Sequence, residues 1–352
     1  MRRKAERPVS RSRRRWPRRA ALGLLAILVL AAGAWAAWRY ETTWPKIAAG
    51  APKAIFVVPP GASADAIARQ LYGLGLVRHP LVFRLLARER GLETQLKAGE
   101  YALSGPLSLE GILDALARGD VVRRDVTIPE GRNLDEVAAL VVAQGMESTA
   151  FLEAARDPAP VRDLDPAATD LEGYLFPDTY EVPRSPEAPR VLVRRMTQRF
   201  REIITPELGR IAEKGLTVRQ AVTLASIVEL ETASAEERPR IAEVFLNRLG
   251  KGMPLQTDPS VVYALKKAGR WDGNIRKRDL DIDSPYNTYR RPGLPPGPLA
   301  SPGRDAIRAV LDPSDTRELY FVSRNDGTHE FSQTLADHNR AVNRYQRRRA
   351  SS

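Results

Sequence analysis

Residues 20–38 read AALGLLAILVLAAGAWAAW, nineteen in a row without a charged side chain, bounded by Arg19 and Arg39. A helix of that length rises roughly 28 Å, about the thickness of a bilayer's hydrocarbon core. The run predicts a single transmembrane helix at 20–38 and leaves the rest of the chain to form a water-soluble body. Residues 1–19 hold ten Lys and Arg against Glu6 alone, a basic tail that the positive-inside rule keeps in the cytoplasm. Trp35, Trp38, Tyr40 and Trp44 then fall at the far interface, and the chain beyond them is exported. A cleaved signal peptide is the competing reading. Its apolar stretch usually runs about 7–15 residues, and no A-x-A-like site with a polar approach comes after this one, so the uncleaved anchor is preferred.

The 352 residues carry a net charge of +12, of which the first nineteen hold +9 and the rest only +3. Anionic lipid headgroups account for that basic tail, so no nucleic-acid partner is expected. Cysteine is absent, which excludes thiolate chemistry and Cys-ligated metals. Only His79, His329 and His338 could supply imidazole, none in an H-E-x-x-H pattern, and there is no Gly-rich phosphate loop. No metal and no cofactor are expected.

Residues 39–54 read as a linker off the membrane, and a first exported unit spans 55–125. Within it VPPGASADAIA (58–68) returns seventy residues later as IPEGRNLDEVA (128–138). Each copy reads as a β-branched strand, a Gly turn and a helix capped by Ser63 or Asn133. A helical pattern over 81–89 and a short strand at 99–101 come after the first copy. This strand, helix, helix, strand order resembles a LysM module, which implies binding of the N-acetylglucosamine-containing sugars of cell walls; a plain spacer is the alternative. The second copy and its connection occupy 126–170, and an Asp/Pro/Ala-rich stretch at 155–170 marks a boundary. A larger domain then runs over 171–345, ahead of a basic tail at 346–352.

Thr217 and Gln220 have the spacing of a capping box, predicting a helix through Ala221, Val222, Leu224, Ile227 and Val228. Glu231 lies three, four and seven residues after Val228, Ile227 and Leu224, on the same apolar stripe. Glu229 falls instead on a smaller-sided, wetter strip. A carboxyl held against apolar side chains keeps its proton to higher pH, which makes Glu231 a candidate general acid. Two solvated glutamates in a last turn are the bland reading. A second helix with Ile241, Val244, Phe245 and Leu249 stops at Gly250 and Gly252. The loop of Met253, Leu255, Gln256 and Thr257 leads to Asp258-Pro259, a cap and first-residue pair for a third helix. Asp258 is accounted for as a cap, whereas Gln256 is free to touch a substrate. LEGYLFPDTY (171–180), with Glu172 and Tyr174, suits either a sugar-binding cleft wall or a buried aromatic turn. YNTY (286–289), with Asn287 and Tyr289, precedes a rigid Pro/Gly loop at 293–298. Asn325-Asp326-Gly327 predicts a hairpin, and a last helix runs over 334–345.

Those segments, with ASIVELET (225–232), VFLNRLGKGMPLQTDPSVVY (244–263), GLPPGPLASPG (293–303) and LYFVSRNDGTHEFSQTLADHN (319–339), closely resemble one family: the membrane-anchored endolytic murein transglycosylases, the YceG-like group. The resemblance covers nearly everything from 20 to about 345. It implies an α+β chain with a single N-terminal transmembrane helix, LysM-like βααβ modules, and a mixed α+β catalytic domain with a lytic-transglycosylase-like helical active site. The implied activity is that of a lyase cutting the MurNAc-GlcNAc β-1,4 bond within peptidoglycan strands, leaving 1,6-anhydro-MurNAc ends and terminating nascent strands. Glu231-Thr232 matches the family's Glu-Ser or Glu-Thr pair, so Glu231 is the implied acid and Glu229 the second choice. Glu172, Tyr174, Gln256, Asp258, Asn287 and Tyr289 are candidates to bind the strand. Leu230, often charged in such proteins, is the one departure. The implied place is the inner membrane, N-terminus in the cytoplasm and catalytic domain in the periplasm, beside peptidoglycan synthases as partners. A non-catalytic wall-binding or division scaffold explains the anchor and the repeat equally well, but not the acid on an apolar stripe.

Overall fold

A computed structural model describes residues 16–347, with side chains described over 20–346. Most of the basic tail expected at 1–19 and the end of that expected at 346–352 lie outside the described residues. The chain divides into two compact units, between Val122 and Arg123.

The first unit runs α1 (Trp16–Thr43), β1 (Pro45–Ile47), β2 (Ala54–Val58), α2 (Ala64–Gly73), α3 (Pro80–Glu89), β3 (Gly99–Leu103), β4 (Leu107–Ser108) and α4 (Leu109–Arg118). The apolar stretch of α1 is long enough to cross a membrane and is not buried in protein. The helix does not stop at 38. It continues to Thr43, with Trp38 packed on the unit's core and Thr42 buried. The linker expected at 39–54 is therefore corrected: β1 pairs antiparallel with β4, and Ile47 is buried. Burial of these apolar groups is what turns a short connection into structure.

The second unit runs β5 (Arg123–Ile128), α5 (Leu134–Ala143), α6 (Ser148–Ala155), β6 (Asp178–Pro183), α7 (Ala188–Ile204), α8 (Leu208–Glu213), α9 (Val218–Glu231), α10 (Arg238–Gly250), α11 (Asp258–Lys267), α12 (Arg304–Leu311), β7 (Tyr320–Ser323), β8 (His329–Ser332) and α13 (Leu335–Val342). Both repeat copies have the order βααβ. β2 pairs antiparallel with β3, setting Phe56 opposite Tyr101, and β5 with β6, setting Val126 opposite Tyr180. Ser63 and Asn133 accept the backbone N–H groups of Ala66 and Glu136, capping α2 and α5.

The boundary expected at 170/171 does not hold. β6, the closing strand of the second copy, lies beyond it, and Leu171, Tyr174 and Leu175 share one core with Val137, Phe151 and the later helices. Gly173 makes the turn that brings this segment inward. Its φ is +82°, and a Cβ there would meet the Pro298 ring at 2.3 Å.

α9 is the centre of this core. The Thr217–Gln220 capping box starts it, and Ala221 through Val228 are all buried. A helix enclosed on all sides presents functional groups only at its ends. α10, α11 and α12 pack around it.

Candidate active site

Glu231 is the last residue of α9, and Thr232 leaves the helix extended. The carboxyl faces a cavity of about 370 Å³ lined also by Arg248, Gln256, Asp258, Tyr289 and His338. The Thr257 hydroxyl donates a hydrogen bond to Glu231 Oε1. Desolvation raises the carboxyl's pKa to about 7, against the smaller lowering effect of Thr257. A carboxylic acid in that state both gives and takes a proton near neutrality.

Thr257 is held in turn. It is the N-cap residue of α11, yet its side chain makes no capping bond because the hydroxyl is committed to Glu231. Its N–H donates to Thr288 Oγ1 at 3.1 Å, and Ser260 Oγ lies 2.8 Å from that same oxygen. Asp258 is thus the first residue of α11 rather than its cap, and it accepts the Tyr289 hydroxyl at 2.6 Å. Gln256 has a φ of +49°, a left-handed conformation costing an ordinary residue about 1 kcal/mol or more. Arg248 helps hold this loop by donating to Leu255 O at 2.6 Å and to Leu319 O at 2.7 Å.

Four of the residues picked from sequence therefore meet at one cavity: Glu231, Gln256, Asp258 and Tyr289. Three others do not reach it. Tyr174 is buried, with its hydroxyl on Asp165 Oδ2 at 2.5 Å and its ring edge-on to Phe200, so it is a core residue rather than a cleft wall. Asn287 is fully buried, and its amide bonds Leu280 O and Ile282 O, bracing its own loop. Glu172 is buried too. It accepts the Leu134 N–H at 3.1 Å and the Tyr263 hydroxyl at 3.2 Å, and burial raises its pKa to about 8. Each has its polar groups satisfied inside the fold, which leaves none for a substrate.

Glu229 is corrected as well. It is not on a wet strip: its side chain is 5% exposed, pairing with Arg238 at 2.8 Å and accepting the Gly303 N–H at 2.9 Å. Burial raises its pKa, opposed by those two partners. It ties α9 to α10 and to the start of α12.

Sequence reasoning passed over Thr257, Arg248 and His338 as parts of the site. Arg248 was findable, since it lies three, four and seven residues after Phe245, Val244 and Ile241, the same stripe logic that selected Glu231. His338 comes from α13, far along the chain, and its Nδ1 is buried with no partner among the described residues. No local pattern announces it. A larger hollow of about 590 Å³ between α6 and α7 is lined by Arg190, Arg194 and Arg201 and has no desolvated acid.

The profile of the YceG-like family matches residues 56–344. A Streptococcus pneumoniae protein named endolytic murein transglycosylase is 34% identical over 356 residues, covering 91% of this chain. The chain spans 63% of that relative's length. A Bacillus subtilis protein of the same name is 32% identical over 308 residues, covering 82% of this chain and 83% of that protein. The crystal structure of a yceG-like protein from Listeria monocytogenes superposes with a TM-score of 0.56 at 32% identity, covering 82% of this chain and 99% of that one.

Proposed function

The chain belongs to the YceG-like family, and from that premise we propose that it is a lytic transglycosylase, a lyase that cuts the MurNAc-GlcNAc β-1,4 bond within peptidoglycan strands. The observation supporting this most directly is one carboxyl: Glu231, desolvated, protonatable near neutral pH and facing a polar cavity.

Glu231 donates its proton to the glycosidic oxygen as the bond breaks, and positive charge develops at the muramoyl C1. The carboxylate left behind takes the proton of the muramoyl C6 hydroxyl, whose oxygen closes on C1 as a 1,6-anhydro ring. No water enters the product. The attacking hydroxyl belongs to the same sugar and is present at high effective concentration. Thr257 holds one oxygen of the acid, while Gln256, Asp258 and Tyr289 orient the muramoyl residue. Glu229, paired with Arg238, acts as a brace.

α1 crosses the inner membrane with its N-terminus in the cytoplasm and the two units in the periplasm. Trp38 and Thr42 belong to the first unit's packing, which favours an anchor over a signal peptide cleaved ahead of that unit. The βααβ copy of the first unit acts as a LysM-like glycan-binding module. Cutting near the membrane ends the growth of nascent strands, beside the synthases that make them.

The test uses the full chain in detergent with purified peptidoglycan, products read by mass spectrometry. Wild-type protein should leave anhydromuramoyl ends. Glu231→Gln should lower the rate by about 100- to 10,000-fold in a protein that melts no earlier than wild type. Reducing ends, one water heavier, would make the protein a hydrolase and overturn the proposal.

A further inference from the structure

α3 has two unlike faces. Phe83, Leu86 and Ala87 enter the core of the first unit, while Leu81, Arg84, Leu85 and Arg88 share the opposite face and are exposed. Leu81 and Leu85 keep 58% and 45% of their surface open, which no contact inside the unit accounts for. The helix packs on α1 and is tied to it at both ends. Arg78, just ahead of α3, reaches Glu41 at 3.7 Å. Arg90, just after it, reaches Glu110 at 3.0 Å, and Glu110 in turn pairs with Arg39 at 3.5 Å. Both ends of α3 are therefore held at the level of Arg39 to Glu41, where the uncharged run of 20–38 has just ended.

We propose that the face formed by Leu81, Arg84, Leu85 and Arg88 rests on the membrane itself, in the headgroup layer of anionic phospholipid around the exit of α1. The proposal rests on the reading of α1 as a membrane span. With residues 20–38 in the hydrocarbon, positions 39 to 41 fall among the headgroups, and so does a helix fastened across them. A helix lying in that layer needs apolar side chains for the acyl boundary and basic ones for phosphate, which is the composition of this face. The local charge agrees. Arg84 and Arg69 share the one carboxylate of Asp65, at 3.2 and 2.6 Å. The Arg88 guanidinium has no partner among the described residues. Three arginines against Asp65 and Glu89, which borders the face, leave it positive.

The chain has no cysteine, so a single introduced thiol reports a single position. The experiment places full-length protein in nanodiscs of phosphatidylcholine and phosphatidylglycerol, with a fluorophore on Leu85→Cys, Leu30→Cys or Ile55→Cys. It reads quenching by nitroxide-labelled lipid of either headgroup. The probe at 85 should be quenched about fivefold more strongly by labelled phosphatidylglycerol than by labelled phosphatidylcholine, the factor that one basic side chain near an anionic surface supplies. The probe at 55, across the core on the outer side of β2, should stay in water. Arg84→Gln with Arg88→Gln, at exposed positions worth little to the fold, should bring the two lipids level. A probe at 85 as open to water as the one at 55 would overturn the contact, and so would equal quenching by both lipids with the two arginines present. Shielding from water at 85 without quenching by lipid would put a second copy of this chain on the face, and would overturn it too. The probe at 30 checks the premise separately: quenching from the bilayer centre establishes the span, and its absence would remove the anchor and the proposal with it.

Discussion

At the scale of single residues, the bond from Thr257 to Glu231 is the contact most open to test. A hydroxyl that donates to a carboxylate favours its charged form, so its loss raises the acid's pKa. Thr257→Val should therefore shift the alkaline limb of the kcat/KM profile upward and lower kcat by about tenfold, because the carboxylate that must accept the C6 proton loses its orientation. Thr257→Ser keeps the hydroxyl and should restore both. In wild-type protein the acid titrates at about 7, so activity should fall as pH rises through that value. Glu231 was legible in the sequence because its place on the apolar stripe of its own helix marks it for burial, even though its partner Thr257 lies 26 residues away. Glu229 was not, since its partners are nine and seventy-four residues away. Tyr174 and Asn287 were misplaced for a different reason: aromatic rings and amides serve a sugar cleft and a braced core turn equally well, and composition does not separate the two.

At the scale of elements, α10 connects the site to the hairpin of β7 and β8. Arg248, 8% exposed, donates to carbonyls on both sides, at Leu255 and Leu319. Arg248→Ala would strand those buried acceptors and should lower stability by about 3 kcal/mol, seen as a fall in the denaturation midpoint at constant slope. Helices with a cap and a stripe were readable from the chain: α2, α5 and α9 begin where Ser63, Asn133 and Thr217 place them. The three-residue strand β1 and the two-residue strand β4 were not, because so short a pairing has no period and exists only through tertiary burial. The β5–β6 pairing joins segments fifty residues apart, and for that reason the expected boundary at 171 fell inside a compact unit.

At the scale of the molecule, two buried acids set a pH response of the fold. Burial raises Glu172 to about 8 and Glu231 to about 7 from the usual 4.5. A raised carboxyl binds its proton more tightly in the folded state, so its contribution is complete below about 4.5 and is lost as pH rises through 7 and 8. Melting temperature should decline over that window, and the Glu172→Gln protein should decline less. The same whole-molecule logic bears on truncation. A chain begun at residue 45 would lack Trp38 and Thr42 and should melt its first unit earlier than one begun at residue 20 in micelles, as followed by calorimetry.

The unbroken passage of α1 into the first unit also limits where that unit can go. A flexible leash lets an enzyme sweep a volume that grows with leash length. Here Trp44 alone lies between the helix end at Thr43 and the strand that starts at Pro45, so there is no leash. With α1 in a bilayer, the first unit travels as a float of fixed draught: it patrols a plane at one depth. Whatever this unit binds must come to that depth, however high its affinity.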